Sequence, residues 1–123
     1  LLSGTPAAFS PNTVPEHMLK LRGEIDRRFC QTISLERLAK SFGRNKYALC
    51  RDFKKYFGIG FKEYVTTKRI SYAKELLRFS DRSVSEISEM LGYENTEYFI
   101  ALFKRYEHTT PLAFRKKWQN LRA

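Results

Sequence analysis

The sequence predicts an all-α fold of about seven helices, in which two helix-turn-helix subdomains are joined by a long central helix. Three observations predict it. The run from Phe61 to Phe79, FKEYVTTKRISYAKELLRF, holds neither Pro nor Gly. Its residues Phe61, Tyr64, Val65, Tyr72, Ala73, Leu76 and Leu77 recur at the three-and-four spacing of one helix face. On each side of that run the same short pattern of cap, apolar residues and glycine stop occurs once. No stretch of the chain carries the two-residue alternation of a strand.

In chain order, residues 1–15 (LLSGTPAAFSPNTVP) are uncharged and hold three prolines, which resist helix and strand alike and predict a linker. The opening Leu in place of an initiator Met leads us to expect the C-terminal piece of a longer protein. A first subdomain is expected over 16–59. Its first helix runs from about Glu16 to Phe29, with Met18, Leu19, Ile25 and Phe29 inward and Gly23 inside it at some cost. Ser34 then caps a short helix that points Leu35, Leu38, Ala39 and Phe42 inward and stops at Gly43. Asn45 caps the next, which runs to about Phe57 and ends at Gly58.

The connecting helix occupies 60–80. At 1.5 Å per residue it spans roughly 28 Å, near the ~34 Å rise of one DNA turn. The second subdomain, 81–123, repeats the first. Ser83 and Glu86 make a capping box, Val84, Ile87 and Leu91 point inward, and Gly92 stops the helix. Asn95 caps another that carries Phe99, Leu102, Phe103 and Tyr106, and Thr110 with Pro111 opens a last helix through Trp118. Ser34 pairs with Ser83, Leu38 with Ile87, Phe42 with Leu91 and Gly43 with Gly92, each 49 residues apart. After the turn the spacing is 50, pairing Asn45 with Asn95, Leu49 with Phe99, Phe53 with Phe103, Lys54 with Lys104 and Tyr56 with Tyr106. Caps, stops and core positions match, so the chain repeats a supersecondary unit.

A formal net charge of +10 and a pI near 9.8 draw polyanions, either nucleic acid or an acidic membrane surface. No apolar run reaches spanning length and no signal-peptide pattern is present, so a membrane partner is not expected. Cys30, Cys50, His17 and His108 are too few and too badly spaced for a usual zinc site. The expectation is no metal, no cofactor and two free thiols. No nucleophile and base pair, carboxylate pair or phosphate loop is visible, and an enzyme is not expected.

The helix after Asn45 sets Leu49, Asp52, Phe53, Tyr56 and Phe57 on one side and Lys46, Tyr47, Cys50, Arg51 and Lys54 well around from it. That second side is what a recognition helix shows to base edges. Arg51 has the fork for guanine O6 and N7, while Lys46 and Lys54 at the edges suit phosphates. The equivalent places in the second unit hold Thr96, Glu97, Ile100, Ala101 and Lys104. Ile100 and Ala101 offer contact to a thymine methyl and Glu97 an acceptor for cytosine N4, so the two readers are expected to be unequal. Further backbone contacts are expected at the helix starts Gly60 with Phe61 and Thr110 with Pro111, and at Arg115, Lys116 and Lys117. Arg69, on or beside the apolar stripe, is expected to snorkel or to pair with an acid of a flanking unit. A helical module holding nucleic acid without sequence preference is the alternative reading.

SLERLAKSFG, YALCRDFKKYFG, FKEYVTTKRISYAKELLRFSDRSVSEISEMLGY and EYFIALFKRY followed by TPLAFR together resemble the AraC/XylS family of bacterial transcription regulators, over about Glu16 to Trp118. The resemblance implies sequence-specific binding of double-stranded DNA, with two recognition helices in successive major-groove segments. It places the base readers at Lys46, Tyr47, Cys50, Arg51, Thr96, Glu97, Ile100 and Ala101. It implies RNA polymerase and an N-terminal effector or dimerisation domain of the same chain as partners, and a cytoplasmic, nucleoid-associated location. Two positions depart from the family pattern: Ala101 stands where a basic residue is frequent, and Asp52 where an apolar one is usual.

Overall fold

A computed structural model describes residues 14–122, so most of the linker expected over 1–15 lies outside the described residues. The described residues form seven helices and no strand: α1 (Glu16–Arg28), α2 (Leu35–Ser41), α3 (Lys46–Phe57), α4 (Phe61–Phe79), α5 (Val84–Met90), α6 (Thr96–Glu107) and α7 (Pro111–Arg122). The fold is all-α, as the periodicity predicts. The caps are chemical as well as positional. The Ser34 hydroxyl accepts from the Arg37 amide, Asn45 Oδ1 from the amides of Tyr47 and Ala48, and Asn95 Oδ1 from Tyr98. Ser83 and Glu86 exchange both bonds of a capping box. Gly43, Gly58 and Gly92 all adopt positive φ, where a side chain is strained. The helix end equivalent to Gly58 falls on His108, which holds φ 63° without being glycine.

The helices group into two compact units. One runs to Arg28 and resumes over Ile33–Val65; the other takes Phe29–Thr32 and the chain from Thr66 onward. The central helix, read from the sequence as a separate connector, contributes to both cores. Phe61 and Val65 are buried in the first unit, and Ile70, Ala73 and Leu77 in the second. In the first unit Phe53 is fully buried, edge-on to Phe57, Phe61 and Tyr64, with ring centroids 4.8, 6.0 and 5.4 Å away. From α1 this unit buries Met18, Leu21 and Ile25. Leu19, expected inward, is instead 37% exposed, because the buried face follows the spacing 18, 21, 25.

The second unit packs Ile70, Ala73, Leu77, Ile87, Leu91, Phe99, Phe103 and Phe114 into one cluster. Phe103 lies edge-on to Phe114 at 5.6 Å, and Tyr93 stacks on Phe99 at 5.7 Å. Gly92 is required there: a Cβ on it would come within 2.6 Å of the Cys30 carbonyl oxygen. Arg69 stands four residues after Val65 and four before Ala73, inside the buried stripe. Among the described residues no ion pair joins its guanidinium to an acid. It donates to the carbonyls of Phe29 and Gln31 and lies 4.9 Å from the Tyr93 ring centre. An acid partner is thus corrected to two backbone carbonyls, a pairing in which both ends are already unit 2 residues.

Candidate nucleic-acid interface

The outer face of α3 follows from its inner one. Leu49 and Phe53 are buried, and a helix turns 100° per residue, so Tyr47, Arg51 and Lys54 are carried to the surface. Tyr47 is 70% exposed, a large ring held in water beside the Lys46 ammonium. Lys46 and Cys50 are half-buried at the margins of the same face. The Lys46 ammonium sits 2.9 Å from Glu36 Oε1 on α2 and 5.2 Å from the centre of the Tyr47 ring. The hydrogen bond from Lys46, and then its charge, hold the Glu36 carboxyl below its ordinary pKa. The same bond and the Glu36 charge raise that of Lys46. Both groups stay ionised at neutral pH. Asp52, where the family pattern is apolar, is half-buried.

In α6 the face is built alike but filled differently. Glu97, Ala101 and Lys104 are exposed and Thr96 is half-buried. Ile100 is half-buried as well and packs against the second unit's core, so only part of its side chain reaches the outer face. Tyr98, not singled out from the sequence, is 58% exposed with its ring 5.9 Å from that of Tyr93. One cation, Lys104, stands where the first unit has three.

The two helix starts expected at the phosphates also differ. Gly60 precedes α4, and Phe61 turns its ring into the core while its backbone begins the helix. At α7 Pro111 is buried and supplies no N–H, and the Thr110 hydroxyl accepts from the Ala113 amide. Lys116 and Lys117 are exposed. Arg115 is not presented in that way. Its Nε donates to the Leu77 carbonyl at 3.0 Å, and one terminal nitrogen reaches Leu76 at 3.4 Å and Ser80 at 3.2 Å. These carbonyls lie at the end of α4, where the helix dipole favours a cation, and the Leu76 carbonyl accepts from Ser80 as well. Arg115 thus makes a capping contact within the second unit, at a residue from which a phosphate contact is expected.

A helix-turn-helix domain family matches residues 38–117, well over half of the chain. The chain is 35% identical over 107 residues to the regulatory protein PocR of Salmonella typhimurium, covering 87% of this chain and 35% of that one. It is 36% identical over 92 residues to the bifunctional transcriptional activator/DNA repair enzyme AdaA of Bacillus subtilis, covering 75% and 44%. Among solved structures it is similar to the C-terminal domain of AraT, a response regulator from Geobacillus stearothermophilus. There the TM-score is 0.80 at 28% identity, covering 85% of this chain and 87% of that one. The chain belongs to the AraC-type helix-turn-helix family. The DNA-binding domain of AdpA, solved in complex with a target DNA, shares the fold at a TM-score of 0.81 and 21% identity, covering 88% and 97%.

This AraC-type domain, a DNA-binding domain of the kind transcription regulators carry, spans from about an eighth to under half the length of the curated relatives it matches. Sequence reading of the AraC-type unit missed Glu36, Ser88 and the inward turn of Arg115. Ser88 is fully buried, its hydroxyl donating to the Tyr93 carbonyl, and Ala39 occupies its place in the first unit. Glu36 carried no signal, because its partner is set by the angle of the turn between α2 and α3. Arg115 did carry one. It stands four residues after Pro111 and next to Phe114, beside the inward stripe of Pro111, Phe114 and Trp118, whereas Lys116 and Lys117 lie farther round from that stripe. Among the described residues no group of three or more His, Cys, Asp or Glu is placed to hold a metal ion, and no helix is long and apolar enough to cross a membrane.

Proposed function

We propose that this domain binds double-stranded DNA in a sequence-specific manner, with α3 and α6 entering successive major-groove segments on one face of the duplex. The observation that carries the reading is the outer face of α3, where exposed Tyr47 and Arg51 lie between the cations Lys46 and Lys54 on a helix whose opposite side is core. Arg51 hydrogen-bonds to a guanine edge, Tyr47 and Cys50 make contacts beside it, and Lys46 and Lys54 take phosphates. In the second unit Thr96, Glu97, Ile100 and Ala101 face the groove and contribute less. Backbone contacts come from Lys104, Lys116 and the amides at the starts of α4 (Gly60, Phe61) and α7 (Thr110).

The DNA complex of AdpA, a domain of the same fold, supports this mode of binding. The relatives' names support a role in transcription regulation, in which RNA polymerase and an effector or dimerisation domain are partners. A location with the DNA in the cytoplasm and the absence of catalysis by this domain belong to the same proposal. The test is selection of binding sites from random duplexes, followed by competition with an excess of random DNA. Recovery of one motif that survives competition supports the reading. Binding that random DNA abolishes would give the module without sequence preference.

A further inference from the structure

The ion pair between Glu36 and Lys46 joins the second residue of α2 to the first residue of α3, at the end of the reading helix that enters the groove. A cation at a helix N-terminus is misplaced with respect to the helix dipole, whose positive end favours an anion there. Glu36 supplies that anion. Its carboxylate meets the ammonium at 2.9 Å, a place and a charge that a DNA phosphate would otherwise take. The internal repeat shows the pair changing as a pair. Ser85 stands where Glu36 would fall in the second unit and Thr96 where Lys46 would fall, so the second unit has neither the cation nor its acid.

We infer that Glu36 is a specificity-determining residue: an internal stand-in for phosphate that masks Lys46 from DNA of the wrong sequence. This rests on the proposed DNA-binding function. Random duplex attracts the domain by charge alone, and to engage Lys46 it has to displace Glu36, so its gain from that lysine is reduced. On the selected site the base contacts of Arg51 and Tyr47 hold the helix in the groove, and the exchange of carboxylate for phosphate is completed. Glu36 thereby lowers affinity for wrong sequences more than for the right one. The neighbouring ring favours this use of Lys46, since the Tyr47 face lies beside the ammonium and moves with the same side of the helix.

The test compares the unmodified chain with Glu36→Gln, Lys46→Met and the double variant. Each is titrated by fluorescence anisotropy against the selected duplex and a random duplex over a series of salt concentrations. Glu36→Gln is expected to bind random duplex about threefold to tenfold tighter, with the slope of log affinity on log salt steeper by roughly one. The selected site is expected to gain less, so the ratio between the two falls, and the double variant is expected to match Lys46→Met. Glu36→Ala repeats the measurement without an amide at that position and is expected to give the same change. An unchanged salt slope, a gain that persists in the Lys46→Met background, or an equal gain on both duplexes would overturn the inference and leave DNA binding standing. Failure of the unmodified chain to bind any duplex would overturn the DNA-binding reading, and this inference with it.

Discussion

The two units are the same plan carried out with different emphasis. In the first, Leu35 and Leu38 of α2 and its C-cap Phe42 are half-buried and only Ala39 of that helix is fully buried, while the face of α3 carries Lys46, Tyr47, Arg51 and Lys54. In the second, α5 buries Ile87 and Ser88 and the C-cap Leu91, and α6 buries Phe99, Leu102 and Phe103, while its outer face keeps one cation. Duplication of a supersecondary unit preserves caps, stops and core positions because the fold fails without them. The outer faces are under no such constraint. They are where the two units differ in charge, and a repeat in structure is thus poor evidence for a repeat in function.

The widest separation is expected in stability. Ile87→Ala removes a fully buried side chain and is expected to cost about 2–5 kcal/mol. At the matched place Leu38→Ala, half-buried, is expected to cost about 1 kcal/mol. Denaturant unfolding measures both, and equal losses would mean that the two cores are equally tight. Arg51→Ala is next. It is expected to weaken binding to the selected site by about 1–3 kcal/mol and to relax preference at one or two base pairs. Weakening by the same factor on every sequence would assign Arg51 to phosphates.

Arg115 and Lys54 separate capping from DNA contact. Arg115→Met removes three hydrogen bonds to the end of α4 and is expected to lower stability by about 1–2 kcal/mol, with the salt slope of DNA binding unchanged. Lys54→Ala is expected to leave stability in place and to reduce that slope by roughly one. A reduced slope for Arg115→Met would return that residue to the phosphates. The smallest effect falls at the ends of α3 and α6. His108→Gly is expected to stabilise the chain by about 0.5–1 kcal/mol, since glycine holds the positive φ without strain; a loss of stability would mean that the imidazole makes a contact worth more than the strain.

Most of the fold was legible in the sequence, and the reason is local. Ser34, Asn45, Ser83, Asn95, Gly43, Gly58 and Gly92 announce helix ends through their own hydrogen bonds and φ angles, and α4 is found over the very span its periodicity predicts. What stayed hidden depends on partners far along the chain. Arg69 meets carbonyls about forty residues away, Arg115 meets others nearly as distant, and Glu36 meets Lys46 across a turn. Charge in a sequence says that a residue seeks an anion or an acceptor, without saying whether that acceptor is a phosphate or the end of another helix. His108 was missed for a different reason, since histidine gives no warning that it will take the place of a glycine.

The central claim is that sequence preference concentrates in the half of the site read by α3. Base-by-base substitution across the selected site tests it most directly, with affinity measured for each substituted duplex against the unmodified chain. We expect a site of two segments separated by ~10 base pairs, with penalties of about 1–3 kcal/mol per substitution beneath Arg51. Penalties beneath α6 are expected to be shallow, with at most a preference for thymine near Ile100. Equally steep penalties in both halves would contradict the claim and mean that Thr96 and Glu97 read bases by hydrogen bonding in the way proposed for Arg51.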